Sequence, residues 1–157
     1  MKHIVKIADM KILTEKEGIL ATYGLGSCIS VILYDRINKV AAMIHYMLPV
    51  AGERRKERGF NPFQYGDSGL GKMLDSYQKC GGLIENTDAF MVGGAKIHDN
   101  ESFGIGKRNV ILGRKFFQRF GLSVKSERVE GYLSRNLYLN VEDGSVWVKE
   151  QGAQIVL

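Results

Sequence analysis

Thr22-Tyr23-Gly24-Leu25-Gly26-Ser27-Cys28 opens the stretch that decides the fold. Ile29-Ser30-Val31-Ile32-Leu33-Tyr34 follows, then the polar run Asp35-Arg36-Ile37-Asn38-Lys39, then Val40-Ala41-Ala42-Met43-Ile44-His45-Tyr46. Two short apolar segments rich in β-branched and aromatic residues, separated by a few turn-forming residues, predict a β-hairpin buried on both faces. Counting outward from a turn centred near Ile37 makes Cys28 and His45 close to cross-strand neighbours. Gly24 and Gly26 carry no Cβ, so backbone amides can converge around Cys28.

Working outward, His3–Ile7 and Ile19–Thr22 read as further strands, and Pro49 ends the first strand series. Residues 51–63, with the charge cluster Glu53-Arg54-Arg55-Lys56-Glu57-Arg58, read as a solvated loop. Leu70, Met73, Leu74 and Tyr77 fall at i, i+3, i+4 and i+7, which predicts a helix with Asp67 or Ser68 as N-cap and Gly81-Gly82 as its stop. Ala89–Val92 is a buried strand, and a loop leads from Gly93-Gly94 to Gly106. A second helix is expected over about Lys107 to Phe120, closed by Gly121. The period then returns to two: Val124–Val129, Asn136–Val141 and Val146–Lys149 read as strands, the last two joined through Asp143-Gly144. Helices do not alternate regularly with strands. The expectation is therefore an α+β fold, a single layered domain over residues 1–157, with mixed or antiparallel sheets packed against two main helices.

Composition excludes several classes. The chain has 157 residues, 45% hydrophobic and 25% charged, which is ordinary for a globular protein and unlike a disordered one. Nineteen glycines against two prolines fall singly or in pairs at turns, so they are neither linker nor collagen repeat. The N-terminal residues lack the apolar core of a signal peptide and no apolar run approaches a membrane span, so a cytoplasmic location without membrane insertion is expected. Two widely spaced cysteines, Cys28 and Cys80, are expected to be free thiols.

The net charge of +5 is concentrated in one region. Residues 107–128 carry Lys107, Arg108, Arg114, Lys115, Arg119, Lys125 and Arg128 against Glu127 alone. Interleaved Val110, Ile111, Phe116, Phe117 and Phe120 make this the solvated face of an amphipathic helix, with docking of an acidic partner through the basic helix 107–120 as the alternative. No nucleic-acid partner is expected.

A thiol near an imidazole is the minimum for cysteine nucleophilic catalysis: Cys28 would attack, His45 would take its proton, and N–H groups around Gly26 and Ser27 would hold an oxyanion. Thr22 could accept from the second imidazole nitrogen and fix its tautomer. The competing reading makes Cys28 and His45 ordinary core residues, and His98 beside Asp99 is a rival base. If the pair is catalytic, Cys28 should alkylate faster than Cys80, which sits at a helix end without such a neighbour. Gly24-Leu25-Gly26 lacks the third glycine of a dinucleotide site, and Gly104-Ile105-Gly106-Lys107-Arg108 lacks the hydroxyl residue of a P-loop. The cysteine and histidine spacing implies no zinc, and neither metal nor cofactor is expected.

The run Tyr23–Cys28, the segment Ala42-Met43-Ile44-His45-Tyr46-Met47-Leu48-Pro49, then Val92-Gly93-Gly94-Ala95 and Ile105-Gly106-Lys107-Arg108-Asn109 together resemble the chemoreceptor glutamine deamidase family, CheD. The resemblance spans nearly the whole chain, with Lys96-Ile97 standing where the family commonly has a small residue and Met. It implies a fold similar to that of deamidating-toxin cysteine hydrolases. It also implies a protein-glutamine glutaminase of bacterial chemotaxis that converts glutamine side chains on methyl-accepting chemoreceptors to glutamate with release of ammonia. By motif, Cys28 would be the nucleophile, His45 the base and acid, and Thr22 the residue orienting the histidine. The implied partners are the cytoplasmic helices of the receptors and the phosphatase CheC, engaged by a monomer.

Overall fold

The computed structural model describes residues 1–98 and 104–157. The buried hairpin lies at its centre. β4 (Ile29–Asp35) and β5 (Val40–Tyr46) are buried at every position, and they pair antiparallel from Asp35 with Val40 out to Ile29 with Tyr46. Asp35 fastens the turn: its carboxylate accepts from the amides of Ile37, Asn38 and Leu83 and from the Asn38 side chain.

The hairpin belongs to a five-stranded sheet in the order β2-β5-β4-β6-β7, where β2 is Asp9–Leu13, β6 Thr87–Gly93 and β7 Ser123–Val129. A second sheet runs β1-β3-β8-β9-β10, from Lys2–Ile4, Ile19–Leu25, Arg135–Asn140, Val146–Glu150 and Ala153–Val156. Pairing is antiparallel except between β1 and β3 and between β6 and β7.

Strand alternation sorts the core into two layers. Ile32 and Tyr34 of β4 and Ala41 and Met43 of β5 face the second sheet, where they meet Leu20, Leu25, Leu137, Leu139 and Val148. Val31, Leu33, Ala42, Ile44 and Tyr46 face the other way, against α1 (Gly66–Lys79) and α2 (Ile105–Phe120). The result is a sheet, a sheet and a helix layer, the expected α+β arrangement with two main helices.

The expected inner face of α1 is observed, since Leu70, Met73, Leu74 and Tyr77 are all buried. Its cap differs. The helix starts two or three residues earlier than the expected caps require, with Tyr65 at the N-cap position. Asp67 and Ser68 lie inside the first turn and tie down the preceding loop, through Asp67 to the Ala51 amide and Ser68 to the Pro62 carbonyl. That loop is not wholly irregular either: Gly52–Lys56 and Pro62–Gln64 form 3-10 turns. β2 and β10 were not anticipated, and the first strand is shorter than expected. Part of the loop expected before α2, at 99–103 and including Asp99, lies outside the described residues. Among the described residues, no helix is long and apolar enough to cross a membrane.

The basic region is partly neutralised by the fold. Arg114 pairs with Glu127 at 2.8 Å, and Arg128 pairs with Glu150. Glu150 also holds Arg135 at 2.9 Å, and both of those side chains are buried.

Candidate active site

Cys28 stands immediately before β4, where β3 hands the chain from one sheet to the other. Three donors behind the approach loop hold its successive carbonyls. Ala95 N–H donates to Gly26 O at 2.9 Å, the Asn109 side-chain amide to Ser27 O at 2.9 Å, and Gly94 N–H to Cys28 O at 2.8 Å. Asn109 also donates to Met47 O at 2.9 Å, so one buried side chain from α2 ties the cysteine loop to the end of the histidine strand. With the carbonyls pinned backward, the amides between them are turned the other way.

Those amides are not equivalent. Gly26 N–H donates to Gly24 O at 3.0 Å, so Gly26 does not supply the free oxyanion donor expected of it; its role is to shape the loop, with Ile97 packed 3.0 Å from where a Cβ would stand. The Ser27 amide has no acceptor among the described residues.

The turn centre falls between Ile37 and Asn38, half a residue from the expected position. Ser30 is therefore the residue directly opposite His45, and Cys28 lies two positions further along the same face of β4. His45 and Thr22 meet across the two sheets. Thr22 Oγ1 lies 2.8 Å from His45 Nδ1 and donates its own proton to the Val5 carbonyl at 2.6 Å. A hydroxyl has one proton to give, so Nδ1 carries the hydrogen and Thr22 accepts it. His45 is thus held as the Nδ1–H tautomer, leaving the Nε2 lone pair bare: Nε2 is buried and has no hydrogen-bond partner among the described residues.

Electrostatically the pair rests neutral. Burial drives the His45 pKa down to about 4, and burial pushes the Cys28 thiol up despite the lowering influence of its own amide. Cys28 is half-buried and its thiol makes no hydrogen bond to Nε2, whereas Cys80 is exposed. The expected faster alkylation of Cys28 finds no support in this geometry. The rival base His98 is exposed, and no hydrogen bond joins it to the loop among the described residues. Among them, too, no three His, Cys, Asp or Glu side chains gather as a metal-binding group.

Sequence reasoning missed Asn109 as a site residue, although a signal was present: it falls four and seven residues before Gly113 and Phe116, a polar residue on the apolar face of α2. It also missed the close approach of Gly93 to Cys28, which leaves no trace in a single sequence.

Comparison with known proteins bears on this geometry. The family profile described as "CheD chemotactic sensory transduction" matches residues 47–150. A Solibacter usitatus protein named "Probable chemoreceptor glutamine deamidase CheD" is 35% identical over 96% of this chain and 90% of its own length. The "Chemoreceptor glutamine deamidase CheD" of Thermotoga maritima is 31% identical over 97% of this chain and 94% of its own. A Thermococcus kodakarensis relative, also named as a probable member, is 35% identical over 93% and 91%. With two thirds of its length matching the family profile and near full-length relatives above 30% identity, the chain belongs to the CheD family.

Proposed function

We propose that the protein hydrolyses glutamine side-chain amides of methyl-accepting chemoreceptors to glutamate and ammonia, with Cys28 as nucleophile, His45 as base and acid, and Thr22 as the residue that orients the imidazole. The names of the relatives support the substrate and reaction. The observation that carries the residue roles is the fixed tautomer of His45, whose bare Nε2 belongs to a side chain on the same inter-sheet face as Cys28.

From a neutral pair, the thiol proton moves to Nε2 as Sγ adds to the glutamine Cδ. The tetrahedral oxyanion is stabilised by the Ser27 amide, in a loop whose carbonyls are already occupied. The imidazolium, steadied through Nδ1–H by Thr22, gives its Nε2 proton to the departing nitrogen. Ammonia leaves, and a Cys28 thioester remains. Water then adds, the thioester breaks, and the receptor carries one more negative charge.

The substrate sets the setting: a protein acting on receptor cytoplasmic helices works in the cytoplasm, as a monomer presenting the Cys28 loop, with CheC as a second partner for that surface. Gel filtration of the protein alone and with CheC tests the last two statements. The chemistry is tested by incubating the protein with a receptor cytoplasmic fragment and following Gln-to-Glu conversion by mass spectrometry. Cys28→Ala and His45→Ala should both abolish conversion, and a Cys28→Ala protein as active as the wild type overturns the reading.

A further inference from the structure

Two polar side-chain atoms at the buried end of the hairpin, Ser30 Oγ and His45 Nε2, have no hydrogen-bond partner among the described residues. Both residues are fully buried. They are also directly opposite each other in the β4–β5 ladder, a relationship that places Cβ atoms about 4.5–5.5 Å apart on one face of a sheet. On its other side Ser30 pairs with Val92, which offers no polar side chain. Leaving a buried polar atom unsatisfied is costly, and two such atoms on directly opposite residues call for a third group that meets both.

The chemistry of the site supplies one. Resting on the Cys28 thioester reading above, we infer that Ser30 is a positioning residue for the second half of the reaction, anchoring the water that His45 Nε2 deprotonates. A water held there would donate one hydrogen to Nε2 and share a hydrogen bond with Ser30 Oγ, which satisfies both orphaned atoms with the two partners a buried water needs at minimum. Cys28 lies on the same face of β4, two residues from Ser30, so the water stands on the side of the strand that carries the acyl group. When it reacts, the water oxygen forms a bond to the thioester carbon and its proton passes to Nε2. The carbon–sulfur bond then breaks, and the proton returns from Nε2 to Sγ, giving glutamate and free thiol. Acylation needs no such water, because there Nε2 receives its proton from Sγ and passes it to ammonia.

That asymmetry makes the role measurable. Replacing Ser30 by alanine removes one orphaned atom and so should leave the fold at least as stable. If Ser30 anchors the water, Ser30→Ala slows thioester hydrolysis alone. With a receptor fragment as substrate, kcat and KM should fall together by about tenfold while kcat/KM stays within about twofold. Intact-protein mass spectrometry should show the fragment covalently attached to Cys28 at steady state. Hydroxylamine, a nucleophile that does not need activation by His45, should discharge the adduct as the hydroxamate and restore turnover. Ser30→Ala with wild-type kinetics and no adduct overturns the inference, and so does a fall in kcat/KM without an adduct, which would mark a structural role. Failure of the thioester reading itself is recognised separately, because Cys28→Ala would then remain active.

Discussion

A Cβ built on Gly93 would stand 2.1 Å from the carbonyl oxygen of Cys28, nearer than any real carbon can approach. The obstruction is backbone, so no rotamer change relieves it, and Gly93 has a φ of +118°, a conformation L residues rarely adopt. The end of β6 is therefore pressed against the nucleophile's own peptide, and the next residue, Gly94, donates to that same carbonyl. Gly93→Ala should cost about 3 kcal/mol or more, read as a lowered urea midpoint, and should abolish deamidation even at temperatures where the fold survives. A soluble variant with wild-type activity would mean that the Cys28 loop tolerates displacement.

Thr22 gives a more selective test. Its hydroxyl accepts from Nδ1 because its proton is committed to Val5. Thr22→Val keeps the shape but offers Nδ1 no acceptor, which frees the imidazole to turn and removes support for the imidazolium. Turnover should fall about 10- to 100-fold, less than the roughly 10²–10⁴-fold that a positioned acid–base group itself contributes, because Thr22 acts only through His45. Thr22→Ser keeps the oxygen and should retain most activity. Equal losses in both variants would assign Thr22 to packing rather than to orientation.

Why some of this was legible in the sequence and some not follows from how far each feature reaches along the chain. The hairpin and the inner face of α1 are local patterns, so the short period of Ile29–Tyr46 and the helical spacing of Leu70, Met73, Leu74 and Tyr77 sufficed. β2 and β10 are edge strands, each hydrogen-bonded to one neighbour, with half or more of their residues partly or fully exposed. β10, Ala153-Gln154-Ile155-Val156, lacks the apolar alternation that announces a strand, whereas β2, Asp9-Met10-Lys11-Ile12-Leu13, does alternate but over only five residues, a signal too short to stand out. The site itself divides the same way. Cys28 and His45 share one hairpin, so their nearness was countable, with an error of half a residue at the turn that hid Ser30. Thr22 comes from the opposing sheet, and the packing of two sheets is not written in any local period. Its place just upstream of Cys28 suggested a partner for the second imidazole nitrogen, and the motif resemblance implied the same role, but the contact itself was not countable. Asn109 acts through two backbone carbonyls that no pattern in the sequence connects to it.

The low His45 pKa has a consequence for pH in both stability and rate. In the folded protein the imidazole stays neutral down to about pH 4, whereas on unfolding it returns to an ordinary value near 6.5. Between these values the unfolded chain binds a proton that the folded chain does not. Stability should therefore fall as pH drops from about 6.5 to about 4, by roughly 3 kcal/mol in total, and this contribution should level off below that. His45→Gln should lose this slope in urea titrations at successive pH values. In the wild type, kcat/KM should stay flat through pH 6.5, where an ordinary histidine base would titrate. An acid limb centred near 6.5 would show that the free enzyme's His45 is more solvated than its burial indicates.

The two cysteines separate the neutral resting pair from a preformed thiolate–imidazolium pair. A thiolate held by an imidazolium would alkylate fastest near neutrality. Here burial raises the Cys28 pKa and half-covers the sulfur, while Cys80, at the C-terminal end of α1, is exposed. At pH 7, iodoacetamide followed by peptide mapping should modify Cys80 first. Labelling of Cys28 should lag and continue to accelerate above the ordinary thiol range of about 8.5. In such an enzyme the thiolate forms only as substrate arrives, with Nε2 taking the proton during attack, so a receptor fragment should react with Cys28 at a pH where iodoacetamide scarcely does. Preferential labelling of Cys28 at pH 7 would instead require the ion pair to exist in the resting enzyme and would move the proton transfer ahead of substrate binding.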